Sequence, residues 1–348
     1  MANTIQQFID HVRSLYGPDF VPLHRPLFVG EEKQRLLDCV ESNFVSSAGT
    51  LITEFEEQVA AYTGIDYAVA TVNGTAAIQV ALRLVGVKPG DEVLTQALTF
   101  VATSNAIAYT GANPTFLDVD RETMGLSTAA LSRFLEEQTR RRPDGERVNR
   151  LSGRRIAAVM AMHTFGHPCD APRISEICAD YDLPLVEDAA EALGSRIDGQ
   201  HIGGHGRIAT LSFNGNKIIT TGGGGMLLTN DPDMAARAKH LTTTAKKPHA
   251  WNYFHDEVGY NYRMPNLNAA LGVAQMEKLP DMLDAKRAIA DRYAAFFADC
   301  DEQFVRERTG VTANYWLNAI LTDNRSARDE WLAMTNEAGV MTRPAWVR

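Results

Sequence analysis

Short apolar runs alternate with helical stretches between residues 67 and 231. The apolar runs predict strands over 67–72, 91–98, 114–120, 155–163, 183–188, 207–213 and 225–231. The stretches between them predict helices over 75–87, 100–112, 127–139 and 171–182. Strands that alternate with helices indicate an α/β fold with a mainly parallel sheet between two layers of helices. In such a sheet, binding groups cluster where strands end and helices begin.

The pattern changes on either side of this region. Residues 1–17 read as an amphipathic helix, and 266–297 as a long helix broken near Pro280. Arginine, proline and glycine in 140–155 predict a solvated surface loop. We therefore expect a helical arm (1–25), a large domain (26–250) and a linker helix with a small domain (251–348). Because the chain stops where a helix turns into a strand, we expect the small domain to be incomplete.

Composition narrows the class of protein. The 348 residues are 45% hydrophobic and 22% charged, enough for one large and one smaller domain. A net charge of −9 argues against a nucleic-acid partner, and no apolar run is long enough for a membrane helix. The four cysteines have no CxxC spacing, which suggests neither a disulfide framework nor a zinc site. A cytoplasmic protein without metal is the expectation.

The first candidate site follows the first predicted strand. Gly74 permits close backbone approach, while Thr75 offers its hydroxyl and amide at the start of a helix, where the dipole favours a phosphate. Taken alone this signal is weak, because a threonine that simply caps the helix after a strand is common.

Three more features suggest a planar cofactor. Asp188 ends an apolar strand, so its carboxylate needs a cationic or hydrogen-bonding partner; it is either a helix cap or the counter-ion of a pyridine nitrogen, with Glu191 near the same ring. Lys217 lies between an apolar run and Gly222–Gly225, and reads as either a Schiff-base amine or a surface lysine. The glycines lack the spacing of dinucleotide and P-loop motifs. Phe100 could stack on a cofactor or pack in the core.

His163 and His167 stand four apart before a loop, which does not indicate a metal site. His163 fits the polar lining of a pocket or a structural role. A phosphate cup, an aromatic residue, a terminal aspartate and a lysine before glycines follow one another as in pyridoxal-phosphate enzymes of the aspartate-aminotransferase type. That order favours a pyridoxal-phosphate enzyme.

Several longer motifs resemble the DegT-type sugar-nucleotide aminotransferases. They are "FVSSAGTLITEFEEQVAAYTG", "ATVNGTAAIQVAL", "GDEVLTQALTFVATSNAI", "VEDAAEALGS", "SFNGNKIITTGGGGMLLTND" and "GYNYRMPNLNAALG". The resemblance spans about residue 20 to 348. It implies an aspartate-aminotransferase-like fold (type I), in which a large α/β domain is joined by a smaller α+β C-terminal domain.

The resemblance also implies roles for single residues. Lys217 matches the Schiff-base lysine, Asp188 the partner of the pyridinium nitrogen, and Glu191 a residue at the cofactor's 3-hydroxyl, where many relatives have glutamine. Phosphate and ring contacts match Gly74, Thr75, Ser212 and Phe100. Asn261 matches an asparagine that reaches the phosphate of the neighbouring subunit, which implies a homodimer with shared sites. Ser46, His163 and Arg263 are expected to line the sugar pocket.

The implied reaction transfers the amino group of glutamate to a sugar, and the cofactor alternates between pyridoxal and pyridoxamine 5'-phosphate. "FVPLHRPLF", "HTFGHP", "GGGG" and "LTTTAKKPH" most resemble the branch that aminates C4 of a UDP-linked 4-keto-6-deoxy-N-acetylhexosamine, in the legionaminic-acid and bacillosamine pathways. Three alternatives stay open: a GDP-4-keto-6-deoxymannose substrate, amination at C3, and a truncated homologue that binds the cofactor without catalysis.

Overall fold

A computed structural model describes residues 2–346, within which a seven-stranded sheet forms the centre of the fold. Its strands are β1 (Tyr67–Thr71), β2 (Glu92–Gln96), β3 (Asn113–Leu117), β4 (Ile156–Met162), β5 (Leu185–Asp188), β6 (Ile208–Ser212) and β7 (Gly225–Thr229). They lie in the order β1–β7–β6–β5–β4–β2–β3. Within this sheet of the described chain, six strands run in one direction and β7 runs opposite to them. The mainly parallel sheet is confirmed, and each predicted run contains a strand.

Ten α-helices accompany the sheet within the described residues. They are α1 (Ala2–Tyr16), α2 (Glu32–Glu41), α3 (Leu51–Thr63), α4 (Gly74–Leu84), α5 (Val101–Tyr109), α6 (Thr128–Glu137), α7 (Ala171–Asp180), α8 (Pro232–Thr242), α9 (Asn266–Phe296) and α10 (Arg325–Glu337). Short 3₁₀ turns cover Thr164–Gly166 and Phe297–Asp299. The four helices predicted between the strands are α4 to α7.

The helices cover both faces of the sheet. Alternate strand residues point to opposite sides, so Leu94 of β2 packs with α3, α6, α7 and α9, whereas Val93 packs with α4, α5 and α8. The residues of β4 alternate in the same way: Val159 packs on the face of the sheet that holds Leu94, and Met160 on the face that holds Val93. A sheet buried on both faces explains why its strands read as continuous apolar runs.

The segment 140–155, predicted as a loop, instead contains a hairpin. Thr139–Arg141 pairs antiparallel with Arg147–Asn149. Two of the arginines that suggested a solvated segment have partners, because Arg155 binds Asp91 at 2.5 Å and Arg147 lies 4.4 Å from the ring centroid of Tyr181. The other small sheets join Arg196–Ile197 with Gln200–His201 and Val311–Thr312, Lys246–Lys247 with Phe254–His255, and Gln303–Phe304 with Ile320–Leu321.

The predicted break near Pro280 is also absent, since α9 runs through this proline. Leu279, directly before it, is fully buried in the core of the sheet layer, so tertiary packing holds the helix across a residue that normally interrupts it.

The N-terminal helix packs against the C-terminal part of the chain. The Phe8 ring centroid lies 5.3 Å from those of Phe297 and Trp331, and together with Ile5 and Val12 it belongs to one buried cluster. The expected arm therefore contributes to the core of the C-terminal unit, while the three-part division stays a prediction. Within residues 2–346, no helix is long and apolar enough to cross a membrane.

Candidate active site

A cavity of about 950 Å³ opens at the carboxyl ends of β1, β5 and β6. Parallel strands bring these ends to one edge of the sheet, so residues far apart in sequence meet there. The lining includes seven of the residues predicted to bind the cofactor: Gly74, Thr75, Phe100, Asp188, Glu191, Ser212 and Lys217.

The start of α4 forms one wall of this cavity. Asn73 caps the helix, its side-chain oxygen accepting a hydrogen bond of 2.8 Å from the amide of Ala76. Gly74 and Thr75 follow, and the first amides of a helix have no partner inside the helix. Ser212, the last residue of β6, lies beside them. A Cβ atom at position 74 would lie 3.0 Å from the Ser212 Cβ, so glycine allows this close approach.

The glycine run lets β7 pack against the same turn. A Cβ at Gly225 would lie 2.4 Å from the carbonyl of Asn73 and 2.6 Å from the Gly74 nitrogen. A Cβ at Gly224 would lie 2.2 Å from the Thr221 hydroxyl. Both glycines therefore act by shape, because the backbone at the helix start leaves no room for a side chain at 225 and the Thr221 side chain leaves none at 224.

Asp188 ends β5 and is almost fully buried. Its Oδ2 accepts a hydrogen bond from the Thr103 hydroxyl at 2.7 Å, and its Oδ1 accepts one from the Ala190 amide at 3.2 Å. Burial raises the pKa of the carboxyl, while these hydrogen bonds and the charge of Lys217 oppose the rise. A protonated ring nitrogen in the cavity would supply the missing positive charge.

Lys217 extends from the loop after β6 into the cavity. Its Nζ lies 3.2 Å from Glu191 Oε1 and 4.0 Å from the centroid of the Trp316 ring. Only 11% of the side chain is exposed. Lys217 is therefore an interior amine, and the alternative of a lysine reaching out to solvent does not describe it.

Glu191 is the second buried carboxyl of the site. Its Oε2 accepts a hydrogen bond of 2.8 Å from the Phe165 amide. Burial raises its pKa to about 7, against the opposing effects of Lys217 and the Phe165 amide. Glu191 thus changes charge near neutral pH.

The structure does not bring Ser46, His163, Asn261 and Arg263 to the cavity lining. Ser46 and Asn261 are exposed. His163 is fully buried and contacts Glu187 at 3.1 Å, which leaves it no free edge for a sugar. The backbone of Arg263 pairs with that of Thr71 in an isolated β-bridge, and its side-chain Nε is buried without a hydrogen-bond partner. Within one subunit, the predicted sugar contacts and the phosphate contact of Asn261 are not assembled.

Sequence reasoning missed several residues of the site. Trp316 lines the cavity, and its indole nitrogen donates to the Asn216 carbonyl at 2.5 Å. Trp346 packs against Phe100 with centroids 5.9 Å apart. Both lie in the C-terminal unit, where no strand-end pattern marks them. Thr103 lies in the first turn of α5, and a hydroxyl four residues after Thr99 is the only local signal for it.

Residues 27–348 match the model of the DegT/DnrJ/EryC1/StrS aminotransferase family. The chain belongs to this family. The match covers most of the chain and includes every residue of the cavity lining except Leu23.

Individual relatives support the assignment. GDP-perosamine synthase of Escherichia coli O157:H7 is 37% identical over 327 residues, which cover 94% of this chain and 85% of the relative. A Bacillus subtilis protein named "Putative pyridoxal phosphate-dependent aminotransferase EpsN" is 38% identical over 325 residues, which cover 93% of this chain and 81% of the relative. The solved structure of aminotransferase TlmJ from Streptoalloteichus hindustanus superposes with a TM-score of 0.84 at 29% identity, covering 94% and 85%.

The chain is accordingly a pyridoxal-phosphate-dependent sugar aminotransferase with an α/β fold. The residues present fit the cofactor. The buried carboxyl of Asp188 suits its ring nitrogen, and the start of α4 at Gly74 and Thr75 lines the cavity, where it suits a phosphate. Phe100 borders the same cavity with a ring that is 46% exposed.

Proposed function

We propose that this enzyme transfers the amino group of glutamate to C4 of a nucleotide-linked 4-keto-6-deoxy sugar, for surface-glycan or nonulosonic-acid synthesis. The observation that carries the proposal is the position of Lys217, an interior amine in a cavity that also holds Asp188 and the helix start of α4. Lys217 provides the amine that amino transfer requires. Asp188 provides the negative charge opposite the cofactor ring, and the start of α4 provides the anion site.

The bound cofactor supplies a carbonyl carbon that joins to amines and a ring that takes up electrons. Lys217 would hold the cofactor in the resting enzyme. Once it is released, its Nζ would accept a proton and later return it. Asp188 would keep a proton on the ring nitrogen, while Thr103 orients its carboxylate. The amides of Gly74 and Thr75 and the Ser212 hydroxyl would bind the phosphate, and Phe100 would pack against the ring.

Sequence motifs and relatives favour different nucleotides on the sugar substrate. The sequence motifs favour a UDP-linked N-acetylhexosamine, whereas the Escherichia coli relative is named as the synthase of a GDP-linked sugar. The relative's identity extends over almost the whole chain, so we place GDP-4-keto-6-deoxymannose first and the UDP-linked sugar second. Amination at C3 is the chemical alternative.

A direct assay distinguishes these substrates. Purified enzyme with glutamate and pyridoxal phosphate is given each keto sugar in turn, and the amino product is identified by mass spectrometry and by NMR of the aminated carbon. We expect product from one 4-keto sugar, with nitrogen at C4. Product at C3, or no product from either nucleotide series, would contradict the proposal.

We also propose a homodimer with shared sites. Asn261 is exposed and lies outside the cavity of its own subunit, although its motif matches a phosphate ligand of a neighbouring subunit. The preceding segment exposes large apolar side chains, with Trp251 80%, Tyr253 78% and Phe254 64% exposed. An apolar segment of this kind suits burial against a second copy.

A further inference from the structure

Glu191 and Lys217 form a buried acid–base pair inside the cavity. Their reactive atoms, Glu191 Oε1 and Lys217 Nζ, lie 3.2 Å apart, which is within hydrogen-bond distance. The Glu191 side chain is 2% exposed and that of Lys217 11%. A proton between these two atoms is therefore largely shielded from bulk water.

The surrounding residues fix both partners. The Phe165 amide holds the other oxygen of Glu191, and Asn314 Nδ2 donates to the Glu191 carbonyl at 2.9 Å. The Trp316 ring lies against the Lys217 ammonium at 4.0 Å, and its indole is fixed to the Asn216 carbonyl. A released lysine amine thus has a defined resting position between a carboxylate and an aromatic face.

We propose that Glu191 is a positioning residue that accepts the proton of the Lys217 ammonium and returns it. In this step an N–H bond of Lys217 breaks and an O–H bond forms at Glu191 Oε1, without transfer of electrons between redox states. The neutral amine can then remove a proton from the substrate carbon. This inference rests on the proposed role of Lys217.

The charges around the pair permit the exchange near neutrality. Asp188 from β5 disfavours a second negative charge at Glu191, and Lys217 favours it. Burial is the largest influence and places the pKa of Glu191 at about 7. His24, from the N-terminal segment, has its pKa lowered to about 3 by burial and by the charges of Lys286 and Lys217, so it is neutral there. Burial lowers the pKa of Lys286, on α9, to about 8.

The first test needs no cofactor. Protein carrying ¹³C in the glutamate carboxyl groups is titrated by NMR, with Glu191→Gln identifying the resonance. We expect one carboxyl with a midpoint near pH 7, and a higher midpoint in Lys217→Met because the opposing cation is gone. A Glu191 midpoint in the ordinary glutamate range, or one that does not respond to Lys217→Met, would overturn the inference.

The second test follows the first half of the reaction in a stopped-flow instrument, with loaded enzyme and glutamate. The rate should fall as pH drops through about 7, because the protonated carboxyl cannot accept a proton. Glu191→Gln keeps an oxygen for the Lys217 bond but should slow the step about 10²-fold and remove this inflection. Glu176→Gln, an exposed glutamate of α7, is the matched control and should behave as wild type.

Borohydride trapping distinguishes a failure of the proton exchange at Glu191 from a failure of the proposed function. If the trapped cofactor is on Lys217 but Glu191→Gln keeps the wild-type rate and inflection, the proton exchange is wrong and the proposed function stands. If the trapped cofactor is absent from Lys217, the proposed function itself fails.

Discussion

Asp188 and Thr103 illustrate how a single hydroxyl can tune a buried charge. The Thr103 hydroxyl donates to Asp188 Oδ2 at 2.7 Å and opposes the rise in carboxyl pKa caused by burial. Thr103→Val removes the donor and keeps the side-chain shape. We expect kcat to fall about tenfold, the equivalent of a charge-assisted hydrogen bond of about 1.4 kcal/mol.

Thr103→Ser is the control for that prediction, because it restores the hydroxyl with less methyl packing. It should recover most of the activity in steady-state assays. Equal losses in Thr103→Val and Thr103→Ser would assign the effect to packing instead of to the hydrogen bond.

Asp188 itself should matter far more. Asp188→Asn removes the negative charge that we expect to keep the ring nitrogen protonated, with little change in volume. A loss of about 10²–10³ in kcat is expected, the size found when one electrostatic group of an active site is removed. Cofactor content, measured by absorbance after release in alkali, should stay near wild type; full activity in this variant would contradict the role of Asp188.

At the scale of elements, the contact between β7 and the start of α4 determines the shape of the phosphate cup. Gly225→Ala would place a Cβ 2.4 Å from the Asn73 carbonyl, and backbone cannot move aside cheaply. We expect destabilisation of about 1–3 kcal/mol and weaker binding of pyridoxal phosphate.

Gly223→Ala is the matched control in the same run. Its added Cβ would meet only the Val72 carbonyl at 3.9 Å, an ordinary contact. Denaturant unfolding and cofactor titration should leave this variant near wild type. If both variants behave alike, the shape of the glycine run does not control the site.

A second element-scale prediction concerns the loop over 203–206. Glu187 accepts hydrogen bonds from the amides of Gly203 and His205, each at 2.8 Å, and contacts His163. Burial alone would raise its pKa, but His163 and the amides of Gly206 and Gly203 lower it to about 2. Because the folded-state pKa lies below the unfolded value, Glu187 stabilises the fold above about pH 4.5, and this contribution disappears as pH falls towards about 2.

Glu187→Gln should flatten that part of the stability curve. Urea unfolding between pH 3 and 6 would measure it, since the variant has no carboxyl to protonate at this position. If the wild-type and variant stability curves run parallel over this range, the free energy of unfolding does not depend on the charge of Glu187.

Across the whole molecule, the fold was predictable because each buried strand leaves a continuous apolar run, and the cofactor end was predictable because strand ends carry its polar residues. Three features were not. Arginines suggested a loop where the chain forms a hairpin at 139–149, with Arg147 against the ring of Tyr181. Pro280 suggested a break that the packing of α9 overrides. Trp316 and Trp346 reach the cavity by tertiary contacts that no local pattern encodes.

The proposed dimer makes a prediction at this same scale. Lys217→Ala and Asn261→Asp each should impair the enzyme, the second because an added carboxylate repels the phosphate. Mixed and refolded together, they should form heterodimers in which one site has both native residues. About a quarter of wild-type activity is expected from random pairing; no recovery above the single variants would exclude shared sites.

Reduction with borohydride tests directly whether Lys217 carries the cofactor. Loaded enzyme is reduced with borohydride, digested, and its peptides are sequenced by mass spectrometry. We expect the mass of the reduced cofactor on Lys217, and none in Lys217→Arg, which keeps the positive charge. Cofactor on another lysine, or unmodified Lys217 in protein that retains the cofactor, would show that Lys217 is not the attachment site.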